Sequence, residues 1–221
     1  MGIGRAFRNR VKARKLEKLD FRKTMKALYA PTNRHFAPVV VPALRFLMVD
    51  GQGDPNVSPA YADAVQWLYG ASYAAKFGVK AARGIDYVVP PLEGLWSSDD
   101  PADFVARRKD RWRWTMMIML PEWVDGPILE AAFAKTEKKL GTRPASLRVE
   151  MYEEGQCLQA LHIGSYDDEG PLLAELHERV MPKSGLTFAG PHHEIYLGDP
   201  RRTAPEKLRT ILRQPVRPIA G

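Results

Sequence analysis

The sequence predicts a domain of mixed helices and strands in which one folding unit occurs twice. Three observations support this. First, "ALRFLMVDG", a loop, a helix and "YVVPPLEGLW" are matched in order by "CLQALHIGS", a loop, a helix and "HHEIYLGDP". Each unit is a strand, a glycine-containing turn, a proline-started helix, and a strand bearing one glutamate, Glu93 or Glu194. Second, "WRWTMMIML" places Trp112, Trp114, Met116 and Ile118 on one face and Thr115, Met117 and Met119 on the other. A strand that is apolar on both faces is covered on both faces. Third, a chain of 221 residues with 45% hydrophobic content can bury the core of one large domain or of two fused halves.

The elements follow in order. Residues 9–29 read as a basic helix, with Leu16, Leu19, Met25 and Leu28 loosely on one side and Pro31 ending it. "VVVPALRFLMVDG" is a strand in which Pro42 marks an edge or a bulge. After the "GQGDPN" loop, Ser58 is an N-cap and Pro59 a first helical residue, opening a helix to about Lys80. "DYVVPPLEGLW" is a strand, "SSDDPADFVARRKDR" a polar loop, "WRWTMMIML" a strand and "GPILEAAFAKTEKKL" a helix. "ASLRVEMYEEG" and "QCLQALHIG" form a strand hairpin, "GPLLAELHERVM" a helix and "GPHHEIYLGDPRR" a strand. "TAPEKLRTIL" is expected to close the chain as a short helix, because Thr203 and Glu206 have capping-box spacing. This gives a basic helical extension over 1–30 and a domain over 31–221, with repeats at about 37–120 and 145–200.

Charge is unevenly spread. Residues 1–26 hold ten basic and two acidic residues, for a net of +8, and the remainder holds 23 basic and 24 acidic, for −1. The basicity thus belongs to a tail, which reads first as a solvated arm and only second as a contact for phosphates or an anionic surface. One short basic helix cannot supply the two-helix docking of a helix-turn-helix reader, so nucleic acid is not an expected partner. No apolar run is long enough to span a membrane, and no secretory h-region opens the chain. The lone Cys157 excludes an intrachain disulfide and any CxxC motif, which fits a reducing cytoplasmic compartment. A homodimer is left open.

The chemistry-bearing motifs are few. "GQGDPN" lacks the third glycine of a dinucleotide fingerprint, and there is no P-loop and no GxSxG elbow, so no cofactor is expected. In "HHE", His192 and His193 point to opposite faces, so only His192 and Glu194 share a side, and an ion would need a third ligand such as His162. A metal is not expected. Arg201 and Arg202 beside a predicted helix start make an anion site or an ordinary cap. The remaining carboxylates, Glu194 and Glu93, lie among Trp96, Trp114, Tyr69, Tyr73, Tyr152 and Tyr196. If the repeats pair about a pseudo-twofold axis, both glutamates approach one central cleft. An unpaired carboxylate in an apolar site is costly. It persists for a cationic aromatic ligand, for proton transfer, or as a structural group bonded to a nearby Arg or Tyr.

The stretches "KLDFRKTMKALYAP", "FLMVDGQGDPN", "GIDYVVPPLEGLW", "WRWTMMIMLPEWV", "LHIGSYDDEGP" and "HHEIYLGDPRRTAPEKLRTILRQPV" together resemble the stand-alone branch of the gyrase-inhibitor-like (GyrI-like) small-molecule-binding family. The resemblance covers about Lys18 to Val216 and is most specific in the last stretch. It implies an α+β fold of two pseudo-twofold-related strand–helix–strand–strand units, whose antiparallel sheets form a central ligand cleft. Related modules are effector-binding domains of multidrug-responsive regulators, where a glutamate in the cleft meets cationic aromatic drugs; Glu194 matches it. Some stand-alone members hydrolyse the cyclopropane ring of DNA-alkylating natural products. On that pattern Glu194 would be the base. Tyr152, or a protonated Glu93, would be the donor. Trp96 and Trp114 would stack on the substrate, and Tyr69, Tyr73, Tyr196 and His162 would complete the ligand site. The rival expectation is a non-catalytic sensor or sequestering module.

Overall fold

Antiparallel pairing joins the two repeats edge to edge. The computed structural model describes residues 18–219 except 101, 102, 104 and 105. The expected basic helix therefore falls partly outside the described residues. Its described part is a short strand and two single-turn helices: β1 (Lys18–Leu19), α1 (Phe21–Thr24) and α2 (Lys26–Tyr29). The first repeat follows as β2 (Ala37–Val41), β3 (Leu44–Gln52), α3 (Pro59–Arg83), β4 (Asp86–Tyr87), β5 (Leu92–Ser97) and β6 (Arg113–Met119). Next is α4 (Gly126–Leu140). The second repeat comprises β7 (Arg148–Tyr152), β8 (Gly155–Ile163), α5 (Gly170–Glu175), a π-helical turn (Leu176–Val180), α6 (Met181–Lys183), β9 (Leu186–Phe188), β10 (His192–Tyr196) and β11 (Arg209–Pro218).

The main sheet has the order β2-β8-β11-β10-β5-β6-β3-β7, with β9 added to β11. The inner strands read palindromically, with the first, third and second strands of one repeat meeting the second, third and first of the other. The pseudo-twofold axis passes between β10 and β5. Val41 and Leu44 belong to strands near opposite ends of this order, and so do Tyr152 and Gly155. Links that short require the sheet to curl until its ends approach one another. Pro42 stands in the break between β2 and β3, and β2 is an edge strand, as a proline in this position favours.

Each face of the sheet has its own cover. Ser58 caps α3 by accepting from the Tyr61 N–H, and Gly84 ends the helix in the left-handed conformation. α3 buries Leu68, Ala71 and Ala75 against Leu47, Val49, Trp114, Met116 and Ile118, and α4 packs on α3 through Ala132 and Phe133. On the second repeat the π turn brings Leu176, with Met181, onto Leu158 and Val216. The opposite face is covered by the arm α1–α2. Its Met25, Leu28 and Tyr29 pack on Val41, Cys157, Leu161, Ile195 and Ile211, while Phe21 and Met25 pack on Phe46, Met48, Met117 and Met119. β6 is therefore buried on both faces, as its sequence predicts.

The closing helix is corrected. The capping-box residues introduce only a 3₁₀ turn (Pro205–Lys207), and residues from Arg209 form a ten-residue strand. Pro215 and Pro218 bar a long helix, and Thr210 and Ile211 are β-branched residues buried between β10 and β8. No α-helix begins there, so of the two readings of Arg201 and Arg202 the anion site has no helix N-terminus behind it. Arg201 pairs instead with Asp199 at 2.9 Å.

Candidate functional site

The helix side of the sheet is open along its centre. α3 stands on one bank and the α5–π-turn segment on the other, leaving a cleft of about 2260 Å³. That exceeds the roughly 300–1,000 Å³ of a drug-sized pocket, so the cleft has room for a large ligand. Its floor is built by the two strands at the pseudo-twofold axis. Glu194 lies opposite Gly94, His192 opposite Trp96 and Tyr196 opposite Leu92. Directly paired residues share a face, so Glu194, His192, Tyr196 and Trp96 converge. Gly94 leaves room for the side chains that converge here. A Cβ at that position would lie 3.0 Å from Trp96 Nε1, 3.1 Å from Met116 Sδ and 3.1 Å from the Tyr196 hydroxyl.

A hydrogen-bond relay fixes the glutamate. Trp96 Nε1 donates to the Tyr196 hydroxyl at 3.0 Å, and that hydroxyl donates to Glu194 Oε2 at 2.8 Å. His192 Nε2 stands 3.5 Å from Glu194 Oε1, and neither of its ring nitrogens has a hydrogen-bond partner among the described residues. Tyr61 stacks near Trp96 with centroids 6.3 Å apart, and Tyr166 meets Tyr196 edge-on at 5.6 Å. Burial and the Glu194 charge push the tyrosine hydroxyls upward: Tyr196 well above its usual value, Tyr61 likewise, and Tyr166 up to about 12. All three are held neutral, and Tyr196 is the one that donates to the carboxylate.

A second carboxyl enters from above. Glu169 precedes α5, is 4% exposed and lines the cleft. Its Oε1 has no hydrogen-bond partner among the described residues, and the Thr210 hydroxyl faces the carboxyl without closing a full bond. Burial first, and the nearby Glu194 charge second, push Glu169 up to about 10. The loop that carries it is pinned by His162, whose Nε2 meets the Ser165 carbonyl at 3.0 Å, and by Ser165, which donates to Asp168 at 2.8 Å.

Of the residues anticipated from sequence, Glu194, Trp96, Tyr196, Tyr69 and Tyr73 line the cleft. Tyr69 and Tyr73 stack at 6.3 Å towards its rim. The others stand elsewhere. Trp114 is buried, with its ring laid over Gly51. His162 is buried and serves the Glu169 loop. Tyr152 pairs with Leu44 and packs on the arm side of the sheet.

Glu93 requires a correction. It pairs with Ile195 and Met117, one residue out of step with Glu194, so it points to the arm side and does not share the cleft. There it is fully buried, accepts from the Tyr29 hydroxyl at 2.8 Å and contacts His193 Nε2 at 3.0 Å. His193 Nδ1 meets Glu154 at 2.9 Å, and Arg213 donates to Glu154 at 2.9 Å and to the Leu28 carbonyl at 2.8 Å. Against the cost of burial, Glu154 and Glu93 raise His193, while His193 and Arg213 hold Glu154 down at about 2. This buried chain of charges ties the arm to the sheet.

Sequence reasoning missed Glu169, Tyr61, Tyr166 and the exposure of His192 to the cleft. One signal for Glu169 was present: glutamate is not a favoured N-cap residue, and α5 indeed begins without a side-chain cap. Among the described residues no group of three or more His, Cys, Asp or Glu could hold a metal, and no helix is long and apolar enough to cross a membrane.

Comparison with known proteins places the chain among relatives of the same fold. A conserved protein from Listeria innocua is 40% identical, with 90% of this chain and 100% of that chain covered and a TM-score of 0.82. A structure described as a hydrolase from Listeria innocua is 38% identical, covers 90% and 100%, and has a TM-score of 0.77. The EcmrR C-terminal domain shares only the fold, at 10% identity, 84% and 98% coverage and a TM-score of 0.54. A search of curated proteins finds no match. The model of the GyrI-like small molecule binding domain matches residues 39–217, and with that match the chain belongs to the GyrI-like family.

Proposed function

We propose that this protein binds flat, hydrophobic aromatic molecules in the central cleft and detoxifies reactive ones by adding water to a strained cyclopropane ring. The observation that carries the reading is Glu194: a carboxylate on the floor of an aromatic cleft, held at 2.8 Å by the Tyr196 hydroxyl and with no cationic side chain hydrogen-bonded to it among the described residues. The name of the 38% identical relatives as hydrolases supports turnover over binding alone. Opening a cyclopropane conjugated to a dienone needs a base for the water proton and a donor at the oxygen that becomes phenolic. Glu194 serves as the base. Trp96, Tyr61 and Tyr166 enclose the flat substrate, and their ring faces also attract a cationic one. Tyr152 and Glu93, on the other side of the sheet, take no part.

The test is mass analysis of a spirocyclopropyl dienone incubated with the protein in oxygen-labelled water. Enzyme-dependent formation of an alcohol carrying the labelled oxygen supports the reading. A compound that protects the protein against heat and is recovered unchanged would make the cleft a sensor or sequestering site instead.

A further inference from the structure

We infer that Glu169 is the proton donor of this site, a neutral carboxylic acid set against the Glu194 carboxylate and aimed at the oxygen on which charge develops during ring opening. The inference rests on the hydrolase reading above and supplies the acid which that reading lacks.

The protein treats its other buried acids differently. Glu93 has Tyr29 and His193, Glu154 has His193 and Arg213, and Asp103 has Ser98 and Arg108. Each is bonded or neutralised. Glu169, 4% exposed, has no ion pair with a cation among the described residues. Its charged neighbours are Glu194 on β10 and Asp167 on its own loop, and the groups beside it are Thr210 on β11 and the tyrosines Tyr166 and Tyr196. Burial acts on it first and the Glu194 charge second; Asp167 adds little, because Arg107 and Lys109 on the cleft wall pair with it, and burial beside Glu194 favours the protonated form. Nor does the fold need the carboxyl. It caps no helix, because α5 starts with no side-chain cap bond. An apolar residue there would avoid the cost of burying a polar atom with no partner. What remains is a buried acid in the cleft wall, on the bank opposite Tyr61, with one oxygen unpartnered among the described residues. Two carboxyl groups driven apart in proton affinity by their surroundings provide an acid and a base in one site.

The step balances. Water oxygen attacks the cyclopropane methylene, forming a C–O bond as the C–C bond to the ring breaks. The electron pair passes through the dienone to its oxygen. Glu194 takes the water proton and Glu169 gives its proton to that oxygen, yielding a phenol and an alcohol. Exchange with solvent then returns Glu169 to its acid form and Glu194 to its carboxylate.

The test compares wild type, Glu169→Gln and Glu169→Asp on a spirocyclopropyl dienone across pH 6 to 11. General acid catalysis contributes about 10²–10⁴-fold, so kcat of Glu169→Gln should fall by about 10²-fold or more. Affinity for the ring-opened phenol should stay within about threefold, since the amide keeps the shape, and Glu169→Asp should recover part of the rate. Wild-type turnover should fall on the alkaline side, a limb that Glu169→Gln lacks. A substrate giving a more acidic phenol should narrow the gap between the two. Turnover by Glu169→Gln near the wild-type rate would overturn the donor role alone. Loss of binding in proportion to rate would overturn it too, making the residue a binding group. No turnover by the wild type would overturn the hydrolase reading, and the donor role with it.

Discussion

Glu93→Gln separates the two faces of the sheet. Glu93 is fully buried and holds Tyr29 at 2.8 Å and His193 at 3.0 Å. The amide retains an acceptor for Tyr29 but loses the charge that faces His193. A hydrogen bond to a charged group contributes about 1.5–3 kcal/mol, and breaking a buried pair outright costs about 3–5 kcal/mol. Because the Tyr29 bond survives and His193 can release its proton, the lower part of that span applies, about 2–3 kcal/mol. For a chain of this size each kcal/mol moves Tm by about 2–4 °C, so a fall of roughly 4–12 °C is expected. The assay pairs thermal denaturation with fluorescence titration of a planar aromatic ligand at a temperature where the variant is folded. The folded variant should bind as the wild type does, because the cleft lies through the sheet. A variant that melts like the wild type but no longer binds would refute the assignment of Glu93 to the arm side.

Further outcomes follow from the same geometry. Tyr196→Phe should leave Glu194 and the Trp96 N–H without their shared partner, costing about 1–3 kcal/mol in denaturant unfolding and lowering turnover together with it; an unchanged rate would remove the relay from the mechanism. Gly94→Ala puts a methyl group about 3 Å from Trp96, Met116 and Tyr196, and ligand affinity should fall by about tenfold while the loss in stability stays near 1–2 kcal/mol. Titration of stability with acid tests the buried charge chain. Glu154 is held down at about 2 from 4.5, so its contribution is whole above pH 4.5 and is lost as pH falls towards 2, of order 3 kcal/mol. His193 is raised, so its contribution is whole below its ordinary value and is lost as pH climbs through the raised one. In Glu154→Gln both slopes should flatten.

Much of this fold was legible because it depends on local pattern. The alternation in β6, the Ser58–Pro59 start of α3 and the repeated unit each follow from neighbouring residues, and Glu194 was legible from its strand. The misreadings concern what the chain meets at long range. "TAPEKLRTIL" has the capping residues of a helix, yet β8 and β10 capture it as a strand. Glu93 and Glu194 occupy matching places in the repeat, but pairing sets Glu93 against Ile195 and Glu194 against Gly94, and one residue of register reverses the face. Tyr152 and Trp114 are aromatic and lie on strands of the same sheet as the site, and packing takes them out of it. Glu169 went unseen because "DDEGP" reads as an acidic loop; only the curl of the second repeat carries it over β10.

The most direct test of the central claim is single-turnover kinetics of wild type and Glu194→Gln on one cyclopropane-bearing dienone, with binding of the ring-opened product measured on both. The account predicts that the variant stays folded and binds the product within about tenfold, yet forms the water adduct at least about 10²-fold more slowly. Equal rates of adduct formation would contradict it.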